Sequence, residues 1–204
     1  MTPPDIVLFD LGNVMVRWDP RNLYRRRFAR PEAADTFVRT VVNMDWHADN
    51  DRGVPMAETA RALIARFPEH EDHILAYETG WREMFDGYVS GVPEIFDALL
   101  SRGTPLYALT NLPGGKWAET ADLFPRLRQF RDVIISGDEK VIKPDRRIYE
   151  ITLGRIGAPA GRVFFTDDNP ENIRAADALG LHTHLFQGAE GLRDALIGHG
   201  LLDA

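Results

Sequence analysis

The chain has 204 residues, a formal net charge of −7 and no cysteine. This length favours one domain, or one domain with an insertion. Without cysteine, disulfides, thiolate zinc sites and a cysteine nucleophile are excluded, and the negative charge argues against a general nucleic-acid-binding protein. No apolar stretch is long enough for a membrane span and the N-terminus lacks the regions of a signal peptide, so we expect a cytoplasmic protein with no membrane partner.

A short apolar run near the N-terminus leads directly into a carboxylate. Residues 6–9 show no polar alternation, which is typical of a strand buried on both faces of a parallel sheet. Asp10 follows where the chain turns. Ligands of open α/β sheets bind at the carboxyl ends of the strands, so Asp10 is a candidate functional residue, although a lone aspartate is more often a turn or cap residue.

Residues 17–90 are predicted to form an all-helical insert without strands. Asp19-Pro20 is typical of a helix start, and apolar residues recur at helical spacing, as at Phe37 and Val41. Breakers divide the segment into roughly four helices. We expect residues 1–16 and 91–204 to form the core around which this insert is placed.

Beyond the insert, apolar strands alternate with helices. The predicted strands cover residues 105–109, 133–135, 163–165 and 182–186, and the helices between and after them include residues 93–101, 146–156, 171–179 and 189–197. This alternation predicts an α/β fold, a doubly wound parallel sheet of the Rossmann type.

Polar residues follow the ends of several of these strands. They are Asp10, Thr110-Asn111, Ser136-Gly137-Asp138 with Lys143 shortly after, and Asp167-Asp168. Because parallel strands end at one edge of a sheet, these groups should converge. Carboxylates brought together repel each other, and a simple way to keep several of them ionised is a divalent cation such as Mg²⁺, which prefers oxygen ligands.

This convergence suggests phosphoryl-transfer chemistry. An aspartate can act as a nucleophile through a covalent acyl-phosphate, and Lys143 could hold Asp10 deprotonated. The transferred group needs positioning and neutralisation of its charge, which Mg²⁺, Lys143 and donors such as Thr110 can supply.

At this point the residues match a known pattern: the chain resembles the haloacid dehalogenase superfamily over essentially its whole length. Four motifs carry the resemblance, in order and on the expected elements: Asp10-Leu11-Gly12-Asn13-Val14, Leu109-Thr110-Asn111, residues 143–149 from Lys143, and residues 165–173 around Asp167-Asp168. Residues 17–90 resemble that family's helical cap. The form of the first motif, with Trp46 and Asp51-Arg52-Gly53, is most similar to glucose-1-phosphate-phosphatase-like enzymes.

The resemblance implies a role for each matching position. Asp10 would be the nucleophile and a metal ligand, and the Gly12 carbonyl a second ligand. Thr110 and Asn111 would hold the phosphate, and Lys143 would neutralise charge. Asp168 would bind Mg²⁺ directly and Asp167 through water. The expected substrate is a small phosphorylated metabolite such as a sugar phosphate, bound by a monomer or homodimer.

The sequence departs from the family pattern at Gly12. Most phosphatases of the family have there a second aspartate that acts as general acid and base, which is commonly worth about 10²–10⁴-fold in rate. A cap residue could substitute, with His47 or Asp49 as candidates. Trp46 and His47 are also candidates for contacting the substrate.

Two other functions stay open from the sequence. A 2-haloacid dehalogenase would use Asp10 as nucleophile without a metal, but would not be expected to carry the paired Asp167-Asp168, and dehalogenases commonly have an aromatic residue where this chain has Gly12. A catalytically silent binding protein on the same fold is the third possibility, and the intact Asp10, Lys143 and Asp168 argue against it.

Overall fold

The computed structural model describes residues 3–203. These residues contain seven strands: β1 (Ile6–Phe9), β2 (Val16–Trp18), β3 (Phe85–Tyr88), β4 (Leu106–Thr110), β5 (Asp132–Ile135), β6 (Val163–Asp167) and β7 (His182–Leu185). Five of them form a parallel sheet in the order β5-β4-β1-β6-β7. The predicted α/β fold with a parallel sheet is therefore confirmed, with β1 at its centre.

The helices follow the predicted alternation. They are α1 (Pro20–Tyr24), α2 (Pro31–Thr40), α3 (Met44–Asp51), α4 (Met56–Ile64), α5 (Glu71–Thr79), α6 (Val92–Ser101), α7 (Trp117–Leu123), α8 (Ser136–Glu139), α9 (Arg146–Ile156), α10 (Pro170–Asp177) and α11 (Ala189–Gly198). Short 3₁₀ helices cover Pro68–His70, Trp81–Met84, Pro125–Gln129 and Ala160–Arg162. Within residues 3–203, none of the helices combines the length and the apolar character that crossing a bilayer requires.

Strand β1 is buried on both faces, as its unbroken apolar run predicts. Val7 and Phe9 belong to one core cluster together with residues of α6 and α11. Ile6 and Leu8 belong to another cluster, which includes residues of α9 and α10. Because side chains alternate across a strand, helices on both sides of the sheet fix β1 and the residue that follows it.

The expectation that residues 17–90 contain no strand is wrong. Strands β2 and β3 flank α1–α5 and form an antiparallel pair, with Val16 opposite Tyr88 and Trp18 opposite Phe85. Both strands are too short to show a clear alternation, and their partners lie far apart in the chain, so local sequence patterns do not reveal the pairing.

The helices α1–α5 have a hydrophobic core of their own. It includes Leu23, Tyr24 and Tyr77, and it extends to Leu112 and Ile135, which lie at the carboxyl ends of β4 and β5. We call residues 20–84 the helical insert. Since its core reaches these two strand ends, the insert covers the edge of the sheet at which Asp10 lies.

Candidate active site

Asp10 is held at the end of the central strand. Its backbone N–H donates to the Thr166 carbonyl of β6 at 2.9 Å, which continues the β1–β6 pairing by one residue. Its carboxylate accepts the Leu11 backbone N–H at 2.7 Å. The side chain is nearly buried, so the position of the predicted nucleophile is fixed by the sheet itself.

Lys143 connects Asp10 to Asp167. Its Nζ lies 2.8 Å from Asp10 Oδ1 and 2.7 Å from Asp167 Oδ2, and it donates to the Leu109 carbonyl at 3.0 Å. Burial lowers the pKa of Lys143, but the negative charges and hydrogen bonds of Asp10 and Asp167 outweigh burial, so its pKa is raised above the ordinary value. Lys143 is therefore a permanent cation between two carboxylates.

Three carboxylates converge at this point. Oxygen atoms of Asp10, Asp167 and Asp168 all lie within 4.8 Å of one another. The pKa of Asp10 is raised by burial and by the charges of Asp167 and Asp168, against the opposing charge of Lys143. Burial and Asp167 also raise the pKa of Asp168. One lysine does not balance three carboxylates, and this set of oxygen donors fits a hard divalent cation.

Asp167 is the most fully bonded of the three. Asn172 Nδ2 lies 3.0 Å from both carboxylate oxygens, and the Asn169 backbone N–H donates to Oδ1 at 2.8 Å. Its Oδ2 also accepts from Lys143. Asp168 is exposed, so its oxygens are more accessible to an ion than those of Asp167. Asn172 therefore supports Asp167 from the first turn of α10.

Thr110 is the last residue of β4 and Asn111 follows it, and both residues line a cavity beside the site. The Asn111 side chain is already bonded to the backbone of Lys143: Nδ2 donates to the Lys143 carbonyl at 3.1 Å, and Oδ1 accepts the Lys143 N–H at 2.9 Å. Asn111 therefore positions the lysine. Thr110 also lines the cavity, and the predicted hold of Thr110 and Asn111 on a phosphate stays a prediction.

A cavity of about 160 Å³ lies between the insert and the end of the sheet. Gly12 and Thr110 form part of its wall on the sheet side. The remaining wall is mostly apolar and aromatic and includes Trp18, Trp81 and Phe85. The site therefore combines charged groups at the strand ends with an apolar chamber beside them.

His47 lines this cavity, and its contact with the substrate stays a prediction. Its ring stacks on Trp18 with centroids 4.9 Å apart, and its Nδ1 lies 3.0 Å from the Tyr77 hydroxyl. Burial lowers the pKa of His47 to about 4. The imidazole is neutral at neutral pH, so it has no proton to give as an imidazolium acid.

Trp46 does not line the cavity. Its Nε1 donates to the Thr59 carbonyl at 3.2 Å, and its ring packs edge-on against Tyr77 at 4.9 Å. Adjacent residues of a helix face different directions, so Trp46 points away from the cavity that His47 lines. This position does not support its predicted contact with the substrate. Asp49, the other proposed substitute acid, is exposed and pairs with Arg52 at 3.2 Å, outside the cavity.

Asp51 also lines the cavity, although the resemblance of the Asp51-Arg52-Gly53 motif assigns it no role. It is the last residue of α3, it is buried, and it lies four positions after His47. Residues four apart share one helix face, and this spacing is the signal that could have identified it.

Residues 4–180 match the haloacid dehalogenase-like hydrolases. A sesquiterpene phosphatase, astK, of Aspergillus oryzae (strain ATCC 42149 / RIB 40) is 31% identical over 177 residues, which cover 85% of this chain and 85% of that protein. The matches do not confirm the finer resemblance to glucose-1-phosphate phosphatases.

Solved structures share the fold at lower identity. The HAD family enzyme bt-2542 from Bacteroides thetaiotaomicron, in complex with magnesium and inorganic phosphate, has a TM-score of 0.70 and 18% identity over 91% of this chain and 95% of its own. A dehalogenase has a TM-score of 0.65 and 18% identity over 88% of this chain and 83% of its own. Since both kinds of protein share the fold, the likeness alone does not decide the chemistry.

Proposed function

Since the chain belongs to the haloacid dehalogenase-like hydrolases, we propose that it is a Mg²⁺-dependent phosphatase acting on the phosphomonoester of a small, largely apolar alcohol. The observation that carries this proposal is the cluster of Asp10, Asp167 and Asp168 beside an apolar cavity. The metal-bound and phosphate-bound relative of the same fold supports it.

Asp10 and Asp168 would hold the metal directly, with the Gly12 carbonyl as a further ligand and Asp167 acting through water. Bound Mg²⁺ neutralises charge on the phosphate and on the carboxylates. Asp10 would attack phosphorus as the carboxylate, the form that the adjacent charge of Lys143 favours. Thr110 lines the cavity, and its hydroxyl would donate to a phosphate oxygen.

The dehalogenase alternative explains the cluster less well. A reaction without metal would leave three carboxylates around one lysine, with the raised pKa values described above. The named phosphatase activity of the relative from Aspergillus oryzae also favours phosphate chemistry.

The cavity favours an apolar alcohol over a sugar. Of its polar residues, Asn111 is bonded to Lys143, and Thr120 accepts from Trp81 Nε1 while it donates to the Lys116 carbonyl. Few side chains remain free for the hydroxyl groups of a sugar. A cavity of about 150 Å³ can hold a benzene ring, so the space suits a short hydrocarbon group. The sesquiterpene phosphatase relative is consistent with a hydrocarbon substrate.

Phosphate release from a series of n-alkyl phosphates, compared with glucose phosphates in the presence of Mg²⁺, tests this proposal. Each buried methylene contributes about 0.8 kcal/mol, so kcat/KM should rise roughly fourfold per methylene until the cavity is full. Sugar phosphates should fall below the longer alkyl phosphates. A flat alkyl series together with a preference for glucose phosphates would overturn the apolar assignment.

A further inference from the structure

Hydrolysis of an alkyl phosphate requires a proton donor for the leaving oxygen, because an alkoxide is a poor leaving group. Gly12, two residues after Asp10, has no side chain, and a Cβ placed there would meet no atom within 4 Å. The space beside the nucleophile is therefore open for a group from another element. Among the described residues that line the cavity, His47 and Asp51 have titratable side chains.

Asp51 is fixed against the sheet although it belongs to the insert. Its backbone carbonyl accepts the Ser136 hydroxyl at 2.8 Å, and Ser136 Oγ accepts the Leu112 backbone N–H at 3.0 Å. Gly53, with φ +88°, lies so close to the sheet that a Cβ would stand 2.4 Å from the Gly137 carbonyl oxygen. The end of α3 is thus joined to the ends of β4 and β5.

The Asp51 side chain is buried but incompletely bonded. Its Oδ1 lies 3.4 Å from His47 Nε2, yet it makes no hydrogen bond with any residue in the described range 3–203. A buried carboxylate oxygen without a partner is costly, so it is either protonated or paired with a ligand. Both outcomes suit a group that exchanges a proton with a substrate.

The charged and titratable groups around Asp51 come from several elements. Arg52 and Lys143 carry positive charge, whereas His47 is neutral and the buried Tyr77 hydroxyl keeps its proton. Burial raises the pKa of Asp51 to about 7, against the opposing charges of Lys143 and Arg52. Both protonation states of Asp51 are then populated near neutral pH, which is what an acid–base catalyst needs.

We propose that Asp51, contributed by the helical insert, is the general acid and base of the phosphatase reaction, a role that rests on the function proposed above. In the first step an Asp10 oxygen attacks phosphorus, the P–O bond to the alcohol breaks, and its electron pair takes the proton of the Asp51 carboxyl. In the second step water attacks phosphorus and gives a proton to the Asp51 carboxylate. The P–O bond to Asp10 then breaks, which restores the Asp10 carboxylate and releases phosphate.

The test compares two leaving groups in the Asp51→Asn variant. An alkyl phosphate needs the proton, so its kcat/KM should fall by about 10²–10⁴-fold. 4-Nitrophenolate leaves without a proton, so 4-nitrophenyl phosphate should still give a rapid initial burst of nitrophenolate. Slow steady turnover should follow, because the water in the second step has lost its base.

Asp49→Asn is the matched control, since Asp49 lies on the same helix but is exposed outside the cavity. Asp49→Asn should hydrolyse both esters at the wild-type rate. A burst of nitrophenolate from Asp51→Asn would show that the Asp51→Asn protein is folded. If Asp51→Asn slowed the first step equally for both esters, or slowed it for neither, the assignment of Asp51 would be overturned while the phosphatase function stayed in place. A wild-type protein inactive on every ester would overturn the function and the assignment with it.

Discussion

The side chain of Asn111 makes two hydrogen bonds with the backbone of Lys143, at 2.9 and 3.1 Å. The two residues are separated by 32 positions in the chain, and one follows β4 while the other precedes α9. This pairing fixes the segment from which the Lys143 ammonium group reaches Asp10 and Asp167. The geometry of the nucleophile therefore depends on an amide that need not touch the substrate.

Asn111→Ala should lower kcat because the lysine backbone loses its two partners and the ammonium group loses its fixed position. The lost hydrogen bonds should destabilise the fold by about 1–3 kcal/mol. Steady-state kinetics and thermal melting check this. Asn22→Ala, which removes a hydrogen bond to the Met84 carbonyl in the insert, is the control and should keep its kcat. An unchanged kcat in Asn111→Ala would contradict the positioning role.

Gly53→Ala should weaken the junction that carries Asp51. Gly53 and Gly103 both have a positive φ, at +88° and +75°, so alanine costs about 1–2 kcal/mol of backbone strain at either position. A Cβ at Gly103 meets nothing within 4 Å, whereas at Gly53 it meets the Gly137 carbonyl. Gly53→Ala should therefore lose more stability than Gly103→Ala and should also lose activity. Equal melting temperatures and equal rates in the two variants would refute the close contact.

The buried carboxyl of Asp51 should make the protein less stable as pH rises. Its folded-state pKa of about 7 exceeds the ordinary value of 3.8, so between these values the unfolded state releases the proton that the folded state retains. Its contribution to the free energy of unfolding is fully present below about pH 4 and is lost as pH rises through about 7. The melting temperature of Asp51→Asn relative to wild type should therefore increase between about pH 4 and 8.

The same comparison has a direct control on α3. Asp49 is exposed, so the melting temperature of Asp49→Asn relative to wild type should not increase between about pH 4 and 8. His47 is present in all three proteins and contributes a common background. If the melting temperature of Asp51→Asn relative to wild type were also constant with pH, burial would not raise the pKa of Asp51.

Asn172→Ala should weaken Mg²⁺ binding without removing a metal ligand. Asn172 Nδ2 lies within hydrogen-bonding distance of both oxygens of Asp167 and fixes their orientation. Loss of such a supporting contact typically lowers metal affinity by about 10–100-fold. The Mg²⁺ dependence of activity and of the melting temperature both measure this, and Asn22→Ala should leave them unchanged. If the Mg²⁺ concentration required for activity were unaltered, Asn172 would not contribute to metal binding.

The convergence of Asp10, Thr110 and Asp167 could be predicted because each follows a buried apolar run. In a parallel sheet this alone places the three residues at one edge. The same reasoning places Lys143 and Asp168 at this edge, and the resemblance adds their roles in charge neutralisation and metal binding. The structure brings all five together, while their roles in catalysis and metal binding stay predictions.

The insert was less predictable, because its contacts are set by tertiary packing. Trp46 and His47 are adjacent in sequence, yet only His47 lines the cavity. Asn111 supports Lys143 through a contact between two loops that are far apart in the chain, and hydrophobic periodicity does not predict such contacts. Asp51 shares a helix face with His47, but its backbone contact with Ser136, which joins the end of α3 to the sheet, is not encoded in local sequence.

The most direct measurement of the central claim is phosphate release from a short alkyl phosphate by wild type, EDTA-treated wild type and Asp10→Asn. We predict Mg²⁺-dependent release by the wild type and none by the other two, because an amide is a poor nucleophile and a poor metal ligand. A 2-chloroacid assayed in parallel should yield no chloride. Phosphate release by Asp10→Asn at the wild-type rate, or chloride release that survives EDTA while phosphate esters stay intact, would contradict the account.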